Sequence, residues 1–81
     1  MDAKAVNDKL AKFADTWCER RDLGPLAVLL PAWLNNNGLT DGWAALADAL
    51  HILSTWPKLP EVERAAIKLL WIEVDTAVRS R

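Results

Sequence analysis

The sequence predicts an all-α fold, a compact four-helix bundle that forms one domain over residues 1–81. Apolar residues recur at the three- and four-residue spacings of amphipathic helices, and no stretch alternates apolar and polar residues as a half-buried strand does. Clusters of proline, glycine and asparagine divide the 81 residues into four segments. Because 52% of the residues are hydrophobic and five are tryptophan, even this short chain has material for a core.

The first helix is expected over about residues 3–20, with Asp2 as its N-cap. Arg20 and Arg21 suit the negative end of its dipole. Cys18, beside Trp17, is expected to be a partly buried structural thiol. The inner face of this helix is a single apolar stripe made of Val6, Leu10, Phe13, Ala14 and Trp17.

The second helix is expected over about residues 24–34, after a break at Asp22, which is a plausible cap. Proline removes a backbone donor, so Pro31 should kink this helix or end it early. Residues 35–38 read Asn-Asn-Asn-Gly and should end it in the left-handed conformation that these residue types accept. The inner face consists of Leu26, Leu29, Leu30 and Trp33.

The third helix is expected over about residues 41–55, from an N-cap at Thr40 to the residues before Pro57. It has two apolar stripes, so that only about 80° of its circumference is polar at 100° per residue. A helix this apolar should be central in the bundle. The first stripe is Trp43, Leu46, Leu50 and Leu53, and the second is Ala45, Ala49, Ile52 and Trp56.

The fourth helix is expected over about residues 60–79, with Pro60 at its start. It also has two stripes. The broad one should face the core, and the narrow one points about 160° away at a spacing typical of coiled coils. The broad stripe is Ile67, Leu70, Trp71, Val74 and Val78, and the narrow one is Val62, Ala65, Leu69 and Ile72.

Charge is distributed unevenly along the chain, since no lysine or arginine occurs from Asp22 to Pro57. That middle segment should be buried, in the chain's own core or against a partner. The net charge of −1 gives no general attraction to nucleic acid or to anionic membranes. No apolar segment resembles a signal peptide or spans a bilayer, so we expect a cytoplasmic protein with no membrane partner.

Catalysis is not expected, and neither is a metal or another cofactor. Asp48, His51 and Ser54 or Thr55 have the residue types of a catalytic triad, but at this spacing they lie side by side on one helix. Nothing nearby in the sequence supplies an oxyanion hole. His51 is the only histidine and Cys18 the only cysteine, and neither lies in a metal-ligand motif.

The sequence favours a non-enzymatic protein-interaction module, such as an adaptor, an inhibitor or an immunity or antitoxin-like protein. Five tryptophans and two second stripes exceed what a small monomer readily buries, so we expect a Trp-bearing interface with a second copy, giving a homodimer, or with another protein. Its expected residues are Val62, Ala65, Leu69, Ile72, Trp56 and Ile52.

Two alternatives from other functional classes remain open. One is a nucleic-acid-binding regulator that uses the cations of the first helix. The other is a small-molecule binder with a pocket lined by tryptophans. The cations in question are Lys4, Lys9, Lys12, Arg20 and Arg21.

Overall fold

The structure is a computed structural model that describes residues 3–35 and 40–80 of the chain. Within these ranges it contains four helices and no strand, which confirms the all-α prediction. The N-cap at Asp2 and the turn at residues 36–38 lie outside the described residues. The helices are α1 (Ala3–Arg20), α2 (Leu23–Leu34), α3 (Thr40–Ser54) and α4 (Glu61–Arg79).

The third helix is the centre of the fold, because α3 packs against both α2 and α4, while α1 packs against α2. The segment without lysine or arginine contributes half of the buried apolar side chains in the described part of the chain. Burial of apolar surface is the main force that holds these helices together. The most deeply buried large side chains are Val6, Leu10, Trp17, Leu29, Leu46, Leu50, Leu53, Ile67 and Val74.

A Schellman motif ends α1 and turns the chain into α2. The Asp22 N–H donates to the carbonyl of Trp17 at 2.8 Å, and the Arg21 N–H donates to the carbonyl of Cys18 at 3.2 Å. Arg21 has a φ of 58°, the left-handed conformation that glycine usually supplies at this position. The turn between α1 and α2 is therefore closed by backbone bonds at the cost of a strained arginine.

Of the two effects expected of Pro31, an early end of α2 does not occur, because the helix continues to Leu34, and a kink stays a prediction. Pro31 removes the donor that would bond the carbonyl of Ala27, and Ala27 is exposed, so water can take that donor's place. The carbonyl of Pro31 itself accepts the N–H of Asn35 at 3.1 Å. Asn35 has a φ of −87°, so the left-handed conformation expected from residue 35 onward is absent there.

All five tryptophans lie in the core or against it. Trp17 and Trp43 are buried, whereas Trp33, Trp56 and Trp71 are partly buried and pack on the core from its edges. One chain thus places all five tryptophans in or against its core, whereas the expected interface, which rested also on the second stripes of α3 and α4, stays a prediction. An indole can cover the core with one face and remain wet on the other, and three of the five do so.

Cys18 is exposed, which corrects the expectation of a partly buried thiol. It follows the buried Trp17 by one residue, and one residue rotates the side chain by about 100° around a helix. The apolar stripe of α1 is too narrow to include it. The same rotation leaves Ile52 exposed on α3, even though that helix is central.

Candidate protein-interaction surface

The outer face of α4 carries apolar side chains that the rest of the described chain does not cover. Val62 is 82% exposed, Leu69 is 70% exposed and Ile72 is 46% exposed. Ala65, between them on the same face, is also exposed. The opposite face of α4 packs into the core. Val62, Ala65, Leu69 and Ile72 form what we call the outer stripe.

An open groove of about 400 Å³ lies beside the outer stripe, between α1 and α4. Its floor is largely apolar, since Phe13 of α1 and Ala66 and Leu70 of α4 contribute to it. Leu69 belongs both to the groove and to the outer stripe, so the two form one continuous surface. We call this combination the α1–α4 surface. The remaining groove residues are Lys9, Lys12, Thr16, Glu63 and Glu73.

At one end of the groove, a polar network joins α1, the turn between α1 and α2, and α4. The indole N–H of Trp17 donates to Glu63 Oε1 at 2.8 Å. Arg20 donates to both oxygens of Glu63, at 2.7 and 2.8 Å. It also donates from Nε and Nη2 to Oδ2 of Asp22, at 3.0 and 2.7 Å. This network holds the end of α1 against the beginning of α4 and so fixes the groove at that end.

The environment of Glu63 favours its charged form. The hydrogen bonds from Arg20 lower the pKa of this carboxyl below its ordinary value, and the bond from Trp17 acts in the same direction. Partial burial opposes both effects without reversing them. The Glu63 carboxylate is therefore a structural group, because its partners Arg20 and Trp17 both belong to this chain.

The other charged side chains of the groove have no such ionic partner within the described part of the chain. Lys9 and Lys12 lie on the α1 wall, and Glu73 lies on the α4 wall. Within residues 3–35 and 40–80, none of the three forms an ion pair. The groove thus presents a cationic wall and an anionic wall on either side of an apolar floor.

The six residues that the sequence assigns to an interface occupy different places. Val62, Ala65, Leu69 and Ile72 share the outer stripe, whereas Trp56 lines a separate cavity of about 210 Å³ with Leu23, Pro25 and Leu59. The Trp56 ring also packs closely over Gly24, where an added Cβ would lie 3.1 Å from Cζ2. Ile52 is exposed on α3. The interface roles of all six residues stay predictions.

The residue types that suggested a catalytic triad make other contacts. Ser54 donates its hydroxyl to the backbone carbonyl of His51 at 2.7 Å, and Thr55 donates to that of Ile52 at 3.0 Å. The ring of His51 packs on Trp71, with 4.6 Å between centroids. Among the described residues, no three His, Cys, Asp or Glu side chains cluster as metal ligands would.

Comparisons of the chain with protein-family models, with curated proteins and with solved structures find no match. Across the described part of the chain, every helix falls short of the length or the apolar character that crossing a membrane requires.

Proposed function

We propose that this protein is a small, non-enzymatic interaction module of the cytoplasm that binds another polypeptide through the α1–α4 surface. The observation that carries the proposal is the exposure of Val62 and Leu69 beside an open apolar groove. Single exposed apolar residues are common, but a continuous apolar face next to a groove is typical of docking sites for helices. Because the tryptophans lie in or against the core, this surface is aliphatic rather than Trp-bearing.

The energetics indicate that the outer stripe and the groove act together. The exposed parts of Val62, Leu69 and Ile72 amount to about two complete aliphatic side chains, whose burial contributes roughly 3–6 kcal/mol. Association of two molecules costs an estimated ~4–15 kcal/mol in lost translational and rotational freedom. The outer stripe alone therefore supports at most weak binding, and a specific complex needs the floor of the groove as well.

The nucleic-acid alternative receives less support from the positions of its cations. Arg20 is held by two carboxylates, and Lys9 and Lys12 line a groove that also contains Glu63 and Glu73. A nearby carboxylate weakens the positive potential by which such cations attract phosphate. Binding of a small molecule stays open as a prediction. The α1–α4 groove is lined by charged, aliphatic and Phe13 side chains without a tryptophan, and the smaller cavity contains one tryptophan, Trp56.

Site-specific photocrosslinking in the cells that produce the protein tests the proposal. A photoreactive amino acid replaces Leu69 in one variant and Leu34 in a control. The two leucines are exposed to similar extents, 70% and 73%, so nonspecific crosslinking should be equal at both positions. We expect a discrete protein adduct from position 69 and none from position 34. Equal adducts at both positions, or none at position 69, would contradict the proposal.

A further inference from the structure

We infer that the occupant of the α1–α4 surface is a second copy of this chain, in a two-fold dimer in which α1 of each copy faces α4 of the other. The inference rests on the proposed function and adds the identity and the orientation of the partner. Its basis is the charge pattern of the groove together with the continuity of the outer stripe and the groove floor.

The groove is complementary to itself under one particular rotation. Lys9 and Lys12 form its positive wall on α1, and Glu73 lies on its negative wall on α4. A rotation of 180° about an axis that runs along the groove exchanges the two walls. The lysines of each copy then lie over Glu73 of the other, the two apolar floors face each other, and the outer stripe of each copy lies along α1 of the other. Such self-complementarity is what an isologous interface requires.

The other simple two-fold arrangement is disfavoured by the same charges. An axis across the groove would place α1 on α1 and α4 on α4, so Lys12 would face Lys12 and Glu73 would face Glu73. Like charges set against each other in an interface strongly suppress that pairing. The net charge of −1 per chain is too small to keep two copies apart.

Charge reversal tests both the partner and its orientation. Three variants are compared with the wild type by sedimentation equilibrium at low salt: Lys12→Glu, Glu73→Lys and the combination of both. In the inferred dimer each single variant sets like charges together twice, so its dissociation constant should rise more than about tenfold. The combined variant restores opposite charges and should return to within a few fold of the wild type. Lys58→Glu, in the exposed α3–α4 linker, makes the same charge change away from the groove and should have no effect.

The single variants should retain the helical circular dichroism of the wild type, because both side chains are at the rim of an open groove. Single variants that dimerise as strongly as the wild type, or a combined variant as weak as the singles, would overturn the inferred arrangement. A wild type that stays monomeric at high micromolar concentration would overturn the second copy as occupant. In that case an adduct of Leu69 with a different protein would leave the proposed function standing, and the absence of any adduct would remove both.

Discussion

The indole N–H of Trp17 donates to the carboxylate of Glu63 at 2.8 Å, across 46 residues of sequence. Trp17 is 0% exposed, so water cannot reach its indole N–H. The bond to Glu63 supplies the acceptor that this buried donor needs. Glu63 lies near the start of α4 and also receives two bonds from Arg20. One carboxylate therefore satisfies a buried donor, balances a cation and fixes the end of the groove on which the proposed function depends.

Replacing Glu63 by leucine should lower the free energy of unfolding by about 1–3 kcal/mol, because the indole N–H of Trp17 then stays buried without an acceptor. Glu63→Gln retains an acceptor oxygen and removes only the charge, so it should cost less. Urea denaturation of both variants measures the difference. Equal losses in the two variants would show that the charge, and not the bond to Trp17, matters at this position.

The stability of the protein should fall in acid through Glu63. Its pKa is lower in the folded state than in the unfolded state, where an ordinary glutamate titrates near about 4.3. The stabilisation from this group is thus fully present above that value and is lost as the pH falls through the folded pKa. Melting curves recorded as the pH is lowered below about 4.3 should show a steeper loss of stability for the wild type than for Glu63→Gln. Identical slopes would contradict the assignment.

Arg21→Gly should stabilise the protein by about 1 kcal/mol, since glycine adopts the left-handed conformation of this turn without steric cost. Glu19→Gly, two residues earlier inside α1, is the matched control and should destabilise by about 1 kcal/mol. Thermal denaturation compares the two. A loss of stability in Arg21→Gly would mean that the Arg21 side chain contributes more than its backbone strain costs.

Trp43→Ala should lower the free energy of unfolding by about 3–5 kcal/mol, as expected for an aromatic ring removed from a close-packed core. Trp43 is only 7% exposed. A loss of that size is a large part of the roughly 5–10 kcal/mol available to a domain of this length. Leu34→Ala, at an exposed position, should change stability by no more than about 0.5 kcal/mol. A Trp43→Ala variant as stable as the Leu34→Ala control would contradict the packing of α3.

Local sequence patterns predicted the helices well because each helix carries its own periodicity and its own end signals. The two stripes of α4 could be separated from spacing alone, and Leu70 and Leu69 are accordingly buried and exposed. The prediction for Cys18 was wrong because the side chain lies just outside the apolar stripe of α1, where the rotation of one residue decides whether it is buried or exposed.

Contacts between distant segments could not be predicted in the same way. The spacing of residues in α1 does not indicate that Arg20 contacts Glu63, 43 residues later. An arginine at the end of α1 is already explained by its favourable interaction with the helix dipole. The groove is likewise a product of how α1 and α4 are placed, and only Leu69 of its apolar residues belongs to the stripe expected at an interface. The number of tryptophans indicates how much apolar surface the chain has, but it does not show how much of that surface lies inside the core.

The central claim is that a second copy of this chain covers the outer stripe of α4, and the most direct measurement is the molar mass by light scattering. The wild type should approach twice the 9.0 kDa of one chain as its concentration rises. Leu69→Lys combined with Ile72→Glu should stay at one chain mass while remaining folded and helical, because charges are costly only where the site becomes desolvated. Leu34→Lys, a similar change at an exposed leucine, should behave as the wild type does. A wild type that remains monomeric at high micromolar concentration, or a double variant that unfolds, would contradict the account.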